Sequence, residues 1–174
     1  MSEFDDEYSA ALAGELKEIR GALFNDTIRV LEPDQPVAVT EDATVKDAVA
    51  RMMATHRAAV LIVDRDGRLA GIFTERDVLT RVVGAGLDPA RTTMGQVMTR
   101  QPEALSVGDR VAFAVNRMSV AGYRTIPLVD AERRPVGIVT VAHFIKWMAD
   151  LFPEAVLNLP PGDALKRPSE VDAG

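Results

Sequence analysis

The sequence predicts an α+β fold made of two copies of one β-α-β-β-α unit, packed as a pseudo-two-fold pair, with a helical extension at the N-terminus. Three observations support this prediction. One segment recurs without a gap at an offset of 66 residues. Each copy contains a run with apolar side chains at helical spacing. Each copy then shows two short apolar runs joined by a turn, which is typical of a pair of strands.

The duplication aligns residues 35–79 with residues 101–145, and the two segments have 14 identical residues over 45 aligned positions. Chance would give about three or four identities at ordinary residue frequencies. Neither copy is large enough to bury a core alone, so we expect the two to form one body. We place the first copy at residues 26–88 and the second at residues 89–151.

The N-terminal extension, residues 1–25, carries one apolar stripe at helical spacing. This stripe predicts a helix that packs either on this protein or across a dimer, because it has too few basic residues for a membrane surface. Residues 152–174 form a Pro-containing tail, whose polar end we expect to be frayed. The stripe consists of Tyr8, Ala11, Leu12, Leu16, Ile19 and Leu23.

Each copy is predicted to contain a short strand, a helix, two apolar strands and a closing helix, in that order. In the first copy the two apolar strands are joined by D-R-D-G, a strong turn sequence, and in the second by the looser D-A-E-R-R. The first copy's elements are expected at residues 28–31, 44–56, 60–63, 69–73 and 75–84. The second copy's are expected at residues 96–99, 110–121, 126–129, 135–139 and 141–151.

Composition argues against several functional classes. The net charge of −6 disfavours sequence-independent binding to nucleic acid or anionic lipid. The chain has no cysteine, and its two histidines lie far apart in sequence, so a structural zinc site is not expected. No apolar run approaches the length that spans a bilayer, and the acidic start is unlike a signal peptide. We therefore expect a cytoplasmic protein without a nucleic-acid or membrane partner.

The motifs resemble a tandem pair of CBS domains, the pair called a Bateman module, over about residues 26–150. The resemblance is carried by the V-D-turn-strand-G-I-x-T units at 63–77 and 129–143, the block E-D-A-T-V-K-D-A-V-x-x-M at 41–52 and P-V-x-V-T at 36–40. It implies a β-α-β-β-α fold for each copy and frequent assembly of two chains into a homodimeric disk. It also implies sensing of an adenosyl ligand (AMP, ADP, ATP or S-adenosylmethionine) without catalysis and without a required cofactor.

The family's adenosyl signature, G-h-x-[TS]-x-x-D with h apolar, is filled in the first copy by Gly71, Ile72, Thr74 and Asp77. Gly71 has no Cβ, so a flat base or another backbone can come close. Thr74 stands where strand becomes helix and can meet a phosphate. Asp77 offers two acceptor oxygens, enough for the two ribose hydroxyls. The alternative is a capping box, in which Thr74 and Asp77 only begin the helix.

The second copy keeps Gly137, Ile138 and Thr140 but has His143 in place of the aspartate. A neutral imidazole cannot accept two hydrogen bonds from a diol. We therefore expect one good nucleotide site per chain. The second site is either empty or used for an anion, and the alternative is that His143 is a helix-surface or interface residue.

The remaining candidate site residues are two arginines and two residues of the first copy's early strand. Arg57 and Arg124 precede the inner strands, where a fixed fork of donors suits a phosphate, although either could be a solvated surface residue. In relatives the positions of Val39 and Thr40 line the base pocket; the alternatives are a core position for Val39 and a helix cap for Thr40 and Ser106.

The sequence thus favours a regulatory module that senses an adenine nucleotide. The alternative is a structural, dimerisation or partner-interaction module with no physiological ligand. We expect no enzymatic activity, because no nucleophile with a neighbouring base, metal cluster or paired-acid constellation stands out. A homodimer and an unidentified protein partner are the expected assemblies.

Overall fold

The computed structural model describes residues 20–151 together with Gly14 and Lys17. The predicted tail at 152–174 and most of the predicted N-terminal stripe lie outside the described residues. The described end of the first helix, α1, runs through residues 20–25, and Ala22 and Leu23 pack against the core of the second copy.

Both copies have the predicted α+β organisation. The first contains β1 (Ala38–Thr40), α2 (Val45–Thr55), β2 (Ala59–Val63), β3 (Leu69–Thr74) and α3 (Glu75–Asp77), which continues as a π-helical segment (Val78–Val83). The second contains α4 (Met94–Val97), β4 (Thr99–Arg100), α5 (Val111–Val120), β5 (Thr125–Val129), β6 (Pro135–Thr140) and α6 (Val141–Leu151). Among the described residues, no helix has the length and apolar character needed to cross a bilayer.

The two central hairpins are built alike. β2 pairs antiparallel with β3 from Ala59↔Thr74 onward, and β5 pairs with β6 from Thr125↔Thr140 onward. Both hairpins have a register shift at the same place, between Ile62 and Val63 and at the matching residues of the second copy. The register thus follows the offset found in the sequence, which confirms the duplication.

The turns of these hairpins hold the same hydrogen bonds despite their different sequences. Asp64 Oδ1 accepts from the backbone N–H of residues 66 and 68, and Asp130 Oδ1 accepts from that of residues 132 and 134. Gly67 takes a positive φ of 77°, and Arg133 stands at the matching place with a φ of 63°. The aspartate that follows each inner strand therefore sets the turn, even where no glycine is present.

The two predicted opening strands are wrong. Residues Ile28–Leu31 form a 3₁₀ turn, and the second copy has α4 followed by the two-residue β4. Ile28 and Leu31 point into one core, and Met94 and Val97 into the other, so each segment has apolar residues three apart. That spacing fits one turn of helix, and the parallel strand that opens the first sheet is β1, later in the chain.

Each opening segment packs on the opposite copy. Ile28 donates its backbone N–H to Asp109, and its side chain lies in the core with Trp147. Met94 donates its backbone N–H to Ala43, and its side chain lies in the core with Phe73. The chain therefore exchanges its opening segments between the copies. As a result, residues from both copies lie at each cleft between them.

Candidate functional site

Two pockets are each lined by residues of both copies, and they share Ala58, Arg124 and Thr125. The Asp77 pocket, about 360 Å³, is lined on the first copy's side by Ile72, Thr74 and Asp77 and on the second's by Tyr123 and Arg124. The His143 pocket, about 570 Å³, is lined by Thr140 and His143 of the second copy and by Asp34 and Arg57 of the first. Both volumes are typical of small-molecule sites.

Asp77 begins α3 in a complete capping box. Its Oδ2 accepts from the backbone N–H of Thr74 at 2.9 Å and from the Thr74 hydroxyl at 2.8 Å. The Asp77 backbone N–H reaches the same hydroxyl at 3.4 Å. The interpretation of this motif as a helix cap is therefore confirmed. Both lone pairs of Asp77 Oδ2 accept hydrogen bonds within the cap.

The second oxygen of Asp77 is engaged by an arginine. Arg81 Nε lies 3.1 Å from Oδ1, one turn along the helix that continues into the π-helical segment. The same guanidinium donates to Val97 O and to Thr99 Oγ1. One lone pair of Oδ1 remains available to a ligand hydroxyl; a second such bond requires Arg81 to release Oδ1 or the Thr74 hydroxyl to rotate.

The opposite wall of the Asp77 pocket supplies apolar surface and a cation. Pro102, Pro127 and Tyr123 line it, and Arg124 lines both pockets. The Arg124 side chain is exposed, and it makes no hydrogen bond or ion pair with other described side chains. Across the described part of the chain, no group of three or more His, Cys, Asp or Glu side chains is placed to hold a metal ion.

His143 reproduces the helix cap of the first copy with a ring nitrogen. The Thr140 backbone N–H donates to His143 Nδ1 at 3.0 Å, and the Thr140 hydroxyl lies 2.7 Å from it. Because Nδ1 accepts a hydrogen bond, the proton of the neutral ring is on Nε2. The Nε2 atom lies 3.3 Å from Asp34 Oδ2.

Asp34 joins three parts of the chain at the His143 pocket. Its backbone pairs with Ile138 of β6, and its Oδ2 is shared by His143 Nε2 and the guanidinium of Arg57. Beside them, Lys146 Nζ lies 2.9 Å from Glu32 Oε2, which lowers the pKa of Glu32 and raises that of Lys146. The pocket that lacks the ribose aspartate thus contains another carboxylate, already paired.

Among the predicted site residues, the structure brings Ile72, Thr74, Asp77 and Arg124 together in the Asp77 pocket. Arg57 and Thr140 line the His143 pocket instead. Gly71 lies beside the Asp77 pocket, and a Cβ there would stand 2.4 Å from Met98 Sδ. Its missing side chain therefore makes room for the segment before β4.

Val39 and Thr40 stand apart from both pockets. Val39 is buried in the first core, and Thr40 lies on an outer groove, where its hydroxyl bonds to Asp42 and lowers the pKa of that carboxyl. Thr44, not Thr40, caps α2, and no side chain caps α5, so the predicted capping roles of Thr40 and Ser106 are wrong.

Asp34 and Arg81 are among the pocket residues that the sequence did not predict. Asp34 is one position upstream of the aligned repeat, where the second copy has Arg100. Extending the alignment by one residue would have paired them. Arg81 lies four residues after Asp77, the spacing of a helical ion pair, and this signal was present in the sequence.

The family model described as "CBS domain" matches the chain twice, at residues 31–84 and 94–150. The chain is 34% identical over 110 residues to the "Meiotically up-regulated gene 70 protein" of Schizosaccharomyces pombe, a match covering 63% of this chain and 15% of that protein. It therefore spans only a small part of that relative's length.

Solved structures with the same fold include ligand-bound CBS pairs. The CBS domain pair of protein MJ0100, in complex with 5′-methylthioadenosine and S-adenosyl-L-methionine, has a TM-score of 0.63 at 23% identity, covering 71% of this chain and 99% of that one. CBSX2 in complex with AMP has a TM-score of 0.60 at 18% identity, covering 70% of this chain and 96% of that one. With two matches to the family model and this shared fold, the chain belongs to the CBS-domain family.

Proposed function

We propose that this chain is a non-catalytic regulatory module that binds an adenosyl ligand in the Asp77 pocket. One observation supports the proposal: the same pocket is lined by Asp77 of one copy and by Arg124 of the other. The carboxylate suits a ribose hydroxyl, and the guanidinium suits a phosphate or carboxylate. The ligand-bound relatives support the same ligand class.

The ligand would act by joining the two copies. Ile72, Pro102 and Tyr123 offer apolar surface for a base, and the polar ends are anchored on opposite copies. A ligand that bridges the cleft stabilises the native arrangement by mass action, and this stabilisation rises with the logarithm of the free ligand concentration above Kd. The regulatory output is then a change in the packing of the copies or in the assembly of the chain.

The test is a calorimetric and thermal-shift panel of AMP, ADP, ATP and S-adenosylmethionine on the wild type and Asp77→Ala. The chain provides a control outside the Asp77 pocket, because Thr44 and Asp47 cap α2 with two of the three contacts of the Thr74–Asp77 cap: Thr44 Oγ1 lies 2.8 Å from Asp47 Oδ2, and the Asp47 backbone N–H donates to Thr44 Oγ1. We expect at least one ligand to bind the wild type and Asp47→Ala alike, and to bind folded Asp77→Ala at least about tenfold more weakly. Undiminished binding by Asp77→Ala would contradict this site.

A second candidate function is a structural module without a ligand. It is favoured by the full engagement of Oδ2 of Asp77 in the cap and by exposed apolar side chains on the helices. Leu79 and Ile145 occupy equivalent positions of the two copies and are 65% and 62% exposed. They suit a homodimer contact. Sedimentation of Leu79→Lys and Ile145→Lys tests it: a dimer that dissociates, with no ligand binding in the panel, would favour this function.

A further inference from the structure

The His143 pocket is the more basic of the two. Three cations line it, Arg57, Arg124 and Lys146, and two carboxylates offset part of their charge: Asp34 on the wall pairs with Arg57, and Glu32 beside the pocket pairs with Lys146. This excess of positive charge occurs in a chain whose net charge is −6. The Asp77 pocket is balanced between three arginines and three acids: Arg76, Arg81, Arg124, Glu75, Asp77 and Glu103.

The neutral form of His143 adds a further donor. Because Nδ1 accepts from Thr140, the ring presents Nε2–H to the pocket at any pH at which it is neutral. The His143 side chain is only 14% exposed, so its orientation is well defined by these contacts. Among the polar side chains that line the pocket, hydrogen-bond donors outnumber acceptors, which favours a ligand with acceptor oxygens.

Asp34 occupies the place that such a ligand would take. Arg57 and His143 both approach the single oxygen Oδ2, so two donors share one acceptor atom. A phosphate group would offer each donor an oxygen of its own, and a second phosphate could reach Arg124 or Lys146 across the same pocket. The pocket's volume of about 570 Å³ leaves room for both groups.

We propose that the His143 pocket is a second ligand site, specific for a small diphosphate-class anion without a nucleoside, and that Asp34 is its internal competitor. The ligand binds by displacing the Asp34 carboxylate from Arg57 and His143. This inference does not depend on nucleotide binding at Asp77, because the anion contacts Arg57, His143 and Lys146, which lie outside the Asp77 pocket.

The sharpest test removes the competitor. Inorganic pyrophosphate is titrated calorimetrically into the full chain at fixed ionic strength without divalent cations. We expect Asp34→Asn to bind it about fivefold more tightly than the wild type, since a partly exposed ion pair no longer has to be broken. Asp66→Asn is the charge-matched control: Asp66 is exposed on the β2–β3 turn and should leave affinity unchanged.

Two further arms separate this site from the Asp77 pocket. Arg57→Gln should abolish pyrophosphate binding, with its fold checked by circular dichroism and thermal unfolding. Asp77→Ala should retain that binding, and adenosine should not compete for it. The proposal is overturned if pyrophosphate does not bind, if Arg57→Gln binds it normally, or if adenosine displaces it. It is also overturned if Asp34→Asn weakens adenosine binding, because Asp34 would then be a ribose acceptor.

Discussion

Thr74 and Thr140 occupy equivalent positions before α3 and α6, and each is bound by the side chain three residues later. Asp77 does this with a carboxylate oxygen and His143 with Nδ1, at nearly the same distances. The replacement of aspartate by histidine therefore keeps the cap while removing an oxygen that could bind a ribose. The fold needs the cap in both copies, whereas only the first keeps the acidic group.

We therefore expect His143→Ala to lower the free energy of unfolding by about 1 kcal/mol, because the N–H of Thr140 loses its acceptor. His143→Asn is the matched variant, since its amide oxygen can still accept from Thr140. Urea denaturation at neutral pH measures both. Equal stability of the alanine and asparagine variants would show that the ring nitrogen contributes nothing to the cap.

Arg81 should have opposite effects on folding and on ligand binding. Its guanidinium pairs with Asp77 Oδ1. It also donates hydrogen bonds to Val97 O and Thr99 Oγ1, which connect the helix to the segment around β4. Arg81→Gln should thus lower stability by about 1 kcal/mol. It should also tighten nucleotide binding about threefold, because Oδ1 is released and the arginine is partly exposed.

Calorimetry on folded protein and chemical denaturation measure these two effects separately. Arg76→Gln is the control, since Arg76 lines the same pocket but has no ion pair among the residues that the structure describes. A variant of Arg81 that binds nucleotide more weakly would mean that the guanidinium contacts the ligand itself.

The sequence predicted the central residue of each pocket, Asp77 and His143, but not the charged side chains that pair with them. The comparison of the two copies was enough to single out Asp77 and His143. The contact between Gly71 and Met98 could not be predicted, because it depends on the path of the chain after the first copy. Whether these pockets bind a ligand stays a prediction.

Among the elements, the close approach of β4 to β3 depends on the glycine at position 71. A Cβ on Gly71 would lie 2.4 Å from Met98 Sδ and 3.1 Å from Thr99 O, so the Met98 side chain would have to move and β4 would have to shift slightly away from β3. At Gly137 the nearest atom, Pro33 Cβ, would lie at 3.3 Å. The same residue is therefore under tighter constraint in the first copy.

Gly71→Ala should cost about 1–3 kcal/mol of stability, as overpacking does, and Gly137→Ala should cost less. Thermal and urea unfolding of both variants gives the comparison. Combining Gly71→Ala with Met98→Ala should cost less than the sum of the single changes, because the smaller side chain relieves the clash. Strict additivity would argue against this contact as the cause.

The sequence located the central hairpins and the main helices to within about one residue, because their strands and periodic helices bury long apolar faces. The opening segments were mistaken for strands because a four-residue apolar run does not distinguish a strand from a helical turn. Their burial at three-residue spacing is decided by the opposite copy, which a local pattern cannot reveal.

At the scale of the whole molecule, the exchange of opening segments makes the copies interdependent. Ile28 belongs to the first copy by sequence and to the second core by packing, and Met94 has the reverse arrangement. The ungapped repeat predicted that the copies form one body. It could not predict this exchange, because the alignment of the repeat gives the relation between the copies but not which core receives each segment.

This exchange predicts that the two cores unfold together. Met94 is fully buried in the first core, whereas Trp147, the only tryptophan, lies in the second. Met94→Ala should destabilise the protein by about 2–5 kcal/mol. Tryptophan fluorescence reports the second core, and circular dichroism reports the helices of both. In urea the two signals should shift to the same lower midpoint, because loss of either core removes a segment that the other needs.

Ile28→Ala, which removes a buried side chain from the second core, should likewise shift the fluorescence and circular dichroism transitions to one lower midpoint. A fluorescence transition that stays at the wild-type midpoint in Met94→Ala, while the circular dichroism transition splits, would mean that the cores unfold independently.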